Sequence, residues 1–235
     1  MTGVSRKEGL GFEISRQLAA QGMTVVLTAR QEEAAGANAR ILNGEGLDAR
    51  AMALDVTSDF SVKGVVDAIE RDMGRLDVLV NNAGGGYNPT ERTSTASFDD
   101  IRDALSLNLE GPWRLTIAAL PLLRKSAAAR VVNVSSQAAS FVDPWGPSGQ
   151  DGSLASYIVS KAAQNAMTRK MALDLKPDRI LVNAACPGWA ATYPGLAEMG
   201  ARPVKDGAAS IVWCATLPSD GPTGGFYRDG KPLAW

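Results

Sequence analysis

The 235-residue sequence predicts an α/β domain with a doubly wound parallel sheet, on two observations. Short β-branched runs alternate with amphipathic helical stretches, and the polar and glycine-bearing segments gather where the runs end. Apolar strands separated by helices form parallel sheets covered on both faces, with ligands held beyond the carboxyl ends of the strands. At this length one domain over residues 1–235 is expected, large enough to bury a core.

Residues 2–11 read as a glycine loop opening a helix over 12–20, where Ile14 and Leu18 recur at helical spacing before Gly22. Such a loop admits a phosphate, because the backbone can approach closely and the free N–H groups of the helix start favour negative charge. A turn with no ligand has the same glycines. Residues 24–30 follow as a β-branched strand, then a helix over 32–42. A weaker strand over 49–54 ends at Asp55, a helix spans 62–73, and a strong strand over 76–80 runs into Asn81-Asn82-Ala83-Gly84-Gly85-Gly86. Residues 98–125 are helical, with a bend expected at Gly111-Pro112, since proline lacks a donor and clashes with the preceding turn. The next strand, 130–134, ends in Ser135-Ser136, and a loop bearing Phe141 and Trp145 leads to a helix that carries Tyr157 and continues to about residue 175. A strand over 180–185 enters Cys186-Pro187-Gly188-Trp189, and a last helix over 205–216 precedes a glycine-rich tail with Phe226-Tyr227.

Composition narrows the chemistry. With 24 basic and 25 acidic side chains the net charge is −1, so no overall field favours nucleic acid or an anionic membrane, and small molecules are the expected partners. Cys186 and Cys214 make neither a disulfide framework nor a zinc pattern and fit a reducing compartment. No apolar run is long enough to span a bilayer and no signal peptide is evident, so a cytoplasmic location is expected. The sequence has no His, which excludes His-dependent triads and His-ligated metals and leaves acid–base work to Tyr, Lys or carboxylates.

Tyr157 and Lys161 stand four positions apart, on one face of their helix. A cation beside a phenol favours the phenolate, so the pair is a candidate acid or base; the same spacing also arises without function.

The set Thr2-Gly3 to Gly11, Asp55, Asn81-Asn82-Ala83-Gly84, Asn108, Ser136, Tyr157/Lys161 and Pro187-Gly188 resembles the short-chain dehydrogenase/reductase family over nearly the whole chain. The likeness is nearest to its carbonyl reductases, through residues 25–30, 182–189 and 221–225. The resemblance implies a Rossmann-type fold and an oxidoreductase in which Tyr157 gives a proton to a carbonyl oxygen, Ser136 hydrogen-bonds that oxygen, and Lys161 lowers the Tyr157 pKa and holds the cofactor ribose. Ser135 is set aside because the second serine of such a pair is usually the catalytic one. Asn108 would complete a proton relay to Lys161. Cofactor contacts would come from Gly3, Ser5, Arg6, Gly9, Leu10, Arg30, Asp55, Val56, Asn82, Ala83, Gly84, Tyr157, Lys161, Pro187, Gly188 and Thr192. An acidic residue after the second strand grips the ribose of NAD, whereas Arg accommodates a 2′-phosphate. This chain has Arg30 there and Arg6 in the glycine loop, which favours NADP(H) over NAD(H).

Two departures stand against the pattern. Five residues separate Gly3 from Gly9 where the family has three, a spacing resembling the enoyl reductases; those, however, place six residues between Tyr and Lys, not three. An apolar strand normally precedes Thr-Gly, and here only Met1 does. Its loss would bare ladder groups on two neighbouring strands, at ~1–3 kcal/mol for each buried unpaired group. The expectation is a start downstream of the true one, or a truncated chain. The alternative function is a non-catalytic dinucleotide-binding or regulatory module; a sugar epimerase of the extended type is disfavoured by the short chain after the last strands. The loops over 137–156 and 190–202 are expected to wall the substrate pocket with Phe141, Trp145, Trp189, Tyr193 and Met199, and a homo-oligomer is left open.

Overall fold

Runs of Val, Leu and Ala become strands buried along their length: β1 (Val25–Ala29), β4 (Arg130–Val134) and β5 (Leu181–Ala185) expose no residue, as central strands of a covered sheet require. The computed structural model describes residues 1–149 and 152–235. Before β1 runs α1 (Leu10–Ala19); after it come α2 (Glu32–Gly44), β2 (Ala49–Ala53), α3 (Asp59–Met73) and β3 (Val78–Asn81). Then follow α4 (Phe98–Leu105), α5 (Gly111–Leu123), β4, α6 (Ala155–Asp174), β5, α7 (Val204–Ala215), β6 (Phe226–Arg228) and β7 (Lys231–Pro232). The last two strands lie in the tail that sequence alone left without a strand.

Helices cover both faces. On β4, Val131 belongs to a core shared with α3, α5 and α6, while Val132 and Val134 belong to one shared with α1, α2 and α7. This alternation is the period-two geometry of a strand with a helical layer on each side.

The expected bend at Gly111-Pro112 falls earlier. Ser106–Glu110 form a π-helical turn within one continuous helical run from α4 to α5, and Pro112 follows directly, so the distortion lies in the turn that faces the proline's missing donor and ring.

The strands form two hydrogen-bonded groups, β1–β2 and β3–β4–β5–β6–β7, parallel except for the final β6–β7 pair. Residues 1–4 stand between them. The Met1 amine donates to the Val26 carbonyl (2.9 Å) and the Thr28 N–H to the Met1 carbonyl (2.9 Å), while the Thr2 N–H reaches the Val80 carbonyl (3.1 Å). Residues 1–4 thus join the two groups, with ladder-type bonds to β1 on one side and β3 on the other.

Burial of the Met1 amine lowers its pKa from 8.0 to about 5. A cation whose folded pKa lies below its unfolded value contributes stability fully above the unfolded pKa and loses it as pH falls toward the folded one. Between about pH 8 and 5 the free-amine chain is therefore expected to lose stability relative to an N-acetylated chain, read as the difference in their urea midpoints. Equal pH dependence in the two would contradict the burial.

Candidate active site

The site is built at the carboxyl ends of β3, β4 and β5. Tyr157, Ser160, Lys161 and Gln164 recur at helical spacing on α6, and the helix is fixed at its start by an unexpected group. Its first residue follows Leu154, held at φ 56° without a side-chain cap of its own. The Glu91 carboxylate, buried, instead accepts from the Ser156 N–H (2.6 Å) and hydroxyl (2.7 Å). A negative charge at a helix N-terminus meets both its unpaired donors and its dipole. Nothing local in the sequence marks Glu91, which lies 65 positions from its partner. An isolated bridge between Arg92 and Ser153 ties the same two segments together.

The Ser136 hydroxyl hydrogen-bonds the Tyr157 phenol, and the Tyr87 ring meets that of Tyr157 edge-on at 5.6 Å. Ser135, one position earlier, faces the core and donates to Asn165 Oδ1 (2.7 Å). Burial pushes the Tyr157 phenol up to about 12, against the smaller opposing pull of Ser136. The expected lowering by Lys161 is not what this geometry gives. Lys161 Nζ is turned onto the Val134 carbonyl (2.8 Å) and Gln164 Oε1 (3.3 Å), and burial lowers its ammonium to about 8.

Asn108, fully buried, lies in the π-helical turn. Its Nδ2 donates to the Gly85 carbonyl (2.8 Å) and Ser160 Oγ (3.0 Å), and its Oδ1 accepts from the Gly85 N–H (3.1 Å). A Cβ on Gly84 would stand 3.0 Å from Asn108 Oδ1 and 3.5 Å from Lys161 Nζ, so Gly84 lies between the two polar groups.

On the nucleotide side, the Thr2 hydroxyl accepts from the N–H groups of Asn82 and Ala83 (2.9 Å each), which laces the glycine loop to the end of β3. Gly3 has φ 72°, and a Cβ there would fall 2.8 Å from Ala83 Cα. Gly9 caps α1 without a side-chain bond, Leu10 is its first residue, and Ser5 is exposed. An uncapped helix start behind a tight glycine turn fits the pyrophosphate of a dinucleotide. Arg30 is exposed just beyond β1, near enough for its charge to act on Asp55. Gly188 has φ 70° and donates its N–H to Cys186 Sγ (3.2 Å), with Pro187 before it and Thr192 in the turn that follows.

Four residues expected to contact the cofactor have partners within the chain. Arg6, expected to flank a 2′-phosphate with Arg30, stacks 3.8 Å over the Tyr193 ring. Asn82, expected along the ribose, spends its amide on the carbonyls of Thr2 (2.9 Å) and Gly3 (3.3 Å). Asp55 accepts from the N–H (2.9 Å) and hydroxyl (2.7 Å) of Thr57, and these bonds are the first cause of its lowered pKa. Val56 is buried against Gly111, whose added Cβ would come within 2.7 Å of it. Ser160 and Gln164 were within reach of the sequence, since they share the helical face of Tyr157 and Lys161. Phe141, Trp145, Trp189, Tyr193 and Met199 are all exposed. Part of the expected pocket loop, residues 150–151, lies outside the described residues. Among the described residues no group of side chains could hold a metal ion, and no helix is long and apolar enough to cross a membrane.

A parallel-sheet crevice with a serine–tyrosine pair at its mouth and a lysine one turn along defines an oxidoreductase class. A family profile described as "short chain dehydrogenase" matches residues 1–195, and the chain belongs to that family. It is 31% identical to short-chain dehydrogenase/reductase 1 of Saponaria officinalis, over 97% of this chain and 92% of that one. It is 32% identical to carbonyl reductase [NADPH] 3 of Rattus norvegicus, over 100% of this chain and 97% of that one. Among solved structures, a metagenomic short-chain oxidoreductase in complex with NADP superposes with TM-score 0.76 at 26% identity, covering 94% and 91% of the two chains.

Replacing Glu91 with Ala is expected to lower stability by ~1–2 kcal/mol, the range for losing a helix cap, with Glu91→Gln recovering most of it. Urea denaturation of the three proteins decides; an unchanged midpoint in the Ala variant removes Glu91 from this role.

Proposed function

We propose that the chain is an NADP(H)-dependent reductase that interconverts a small or medium carbonyl compound and its alcohol, with Tyr157 as general acid and base. The observation that carries this reading is the Ser136–Tyr157 hydrogen bond at the mouth of β4, with the Lys161 ammonium buried one turn along α6. The relatives named for NADPH-dependent carbonyl reduction, and the NADP complex of a similar fold, support it.

The side chains divide the work. A phenol pushed up to about 12 keeps its proton across the neutral range, so Tyr157 is available to donate to a substrate oxygen. Ser136 donates to the same oxygen as negative charge develops there, a contact of oxyanion type worth ~3 kcal/mol. Lys161 binds ribose hydroxyls, and Asn108, beside Gly84 and Ser160, positions the route by which Tyr157 regains its proton. Bound NADPH supplies the hydride. Arg30, with no partner among the ion pairs of the described residues, binds the 2′-phosphate; charge-assisted bonds of this kind contribute ~1.5–3 kcal/mol.

Tyr157→Phe should cut NADPH-dependent turnover of aldehydes, ketones or quinones by ~10²–10⁴ while NADPH still binds. Unchanged turnover would remove Tyr157 as the acid, and tight NADPH binding by the unaltered chain with no turnover of any carbonyl would favour a non-catalytic dinucleotide-binding module. Arg30→Asp should weaken NADPH binding at least ~10-fold, about 1.4 kcal/mol, and leave NADH binding equal or stronger. Parallel loss for both cofactors in fluorescence titrations would show that Arg30 does not read the phosphate.

A further inference from the structure

The parallel strands β4, β5 and β6 end side by side, and the crevice lies beyond their carboxyl ends. Ser136 stands two residues past β4, Cys186 directly follows β5, and Arg228 is the last residue of β6. The register sets Tyr227 against Ala185, and the Cys186 N–H donates to the Tyr227 carbonyl (2.8 Å), so Arg228 stands beside Cys186. Its Nη1 donates to the side-chain oxygen of Gln137, the residue after Ser136. Cys186 Sγ accepts from the N–H groups of Gln137 and Gly188 (3.2 Å each), which draws the turns after β4 and β5 together. A Cβ on Gly188 would stand 3.7 Å from Arg228 Cδ. The guanidinium is thus carried at the same end of the sheet as the Ser136–Tyr157 pair, and Cys186 lies within electrostatic reach of both Tyr157 and Arg228.

Charge at this corner is not balanced. Arg202 Nη1 bonds Asp229 (3.0 Å) and the Pro187 carbonyl (3.4 Å), so that guanidinium has its carboxylate. Arg228, half-buried, has the neutral amide of Gln137 and, among the described residues, no carboxylate within ion-pair distance. Directly opposite it across the β6–β7 pair is Lys231, and like charges so placed repel. Burial pushes the Cys186 thiol up; of the two charges that act on it, Arg228 pulls down more strongly than Asp143 pushes up. The Asp143 carboxylate is engaged by the Trp145 N–H (2.9 Å). A partly desolvated guanidinium with donors to spare fits a planar anion, because a carboxylate takes two parallel N–H bonds.

We propose that Arg228 is a specificity-determining residue that binds a carboxylate of the substrate, so that oxo acids are the preferred class. The proposal rests on the reductase reading above. The acid group is held at the end of β6 while the carbonyl oxygen accepts from Ser136 and Tyr157, and the two anchors fix the carbonyl carbon between them. Gln137 links them: its side chain steadies the guanidinium, and its backbone continues from Ser136. A neutral ketone leaves the guanidinium with only Gln137.

The test offers para-formylbenzoate and a series of straight-chain oxo acids, each beside its methyl ester, with saturating NADPH, to the 235-residue chain and to Arg228→Met and Arg228→Lys. The unaltered chain is expected to favour the best acid over its ester at least ~10-fold in kcat/KM, mainly through KM. Arg228→Met should lose that preference with the ester unchanged, and Arg228→Lys should keep part of it. Benzoate binding, followed by calorimetry, needs no turnover and should be lost in Arg228→Met. If no carbonyl compound is reduced but benzoate binds and the Met variant loses it, the reductase reading falls and the carboxylate seat stands. Should the Met variant not fold, Arg228→Lys decides, by an acid preference smaller than the parent's. Equal use of acids and esters by the unaltered chain, equal loss of both in a folded variant, or benzoate binding that is absent or indifferent to residue 228 overturns the proposal.

Discussion

The side chain of Thr2 joins the sheet to the crevice. Its hydroxyl accepts two backbone N–H groups from the end of β3 and lies 3.4 Å from the Val80 carbonyl, while its own N–H donates to that carbonyl. Each such bond contributes ~1 kcal/mol net, yet the buried N–H groups of Asn82 and Ala83 would cost more if left unmet. The close approach of the two segments exists because Gly3 carries no Cβ where it passes Ala83. The glycine loop is thus tied to β3 through Thr2, as it is tied to β1 through the bonds of Met1 and Val4 to Val26 and Thr28.

Burial opposes charge on both members of the acid–base pair. Tyr157 is held protonated and Lys161 is eased toward its neutral form, so the pair is not a preformed phenolate–ammonium couple. That is the protonation state from which a phenol donates. The reverse reaction needs the phenolate, and its cost falls only if positive charge from Lys161 turns toward Tyr157 and away from Val134 and Gln164. Its two present partners are a carbonyl and an amide oxygen, neither of them an anion.

Much of this was legible in the sequence, and the failures have physical reasons. β4 is legible to the residue because an apolar β-branched run ends in two serines; both reach α6, Ser136 at Tyr157 near the start of the helix and Ser135 at Asn165 two turns further along. The distortion expected near Gly111-Pro112 takes the form of the π-helical turn just before them, and within it Asn108 bonds Gly85 and Ser160, contacts no local pattern discloses. The stacking of Arg6 on the ring of Tyr193, 187 positions away in the chain, is a contact that no local pattern discloses. Glu91 was silent for the same reason.

The molecule is unevenly determined. The five-stranded part carries Ser136, Tyr157 and Lys161, and behind them a buried chain of bonds runs from Thr116 through Asn81 and Asn133 to Thr168, tying α5 and α6 to the sheet. The two-stranded part carries Arg30 and leads to Asp55, and it joins the rest of the sheet through residues 1–4, with α1 packed on α7 across the junction. Local opening follows local contact density, so the two-stranded part opens at lower free energy than the five-stranded part that holds Tyr157. Under the proposed function, loosening at the junction therefore falls first on nucleotide affinity, while the placement of Ser136 by Tyr157, within the larger part, is kept.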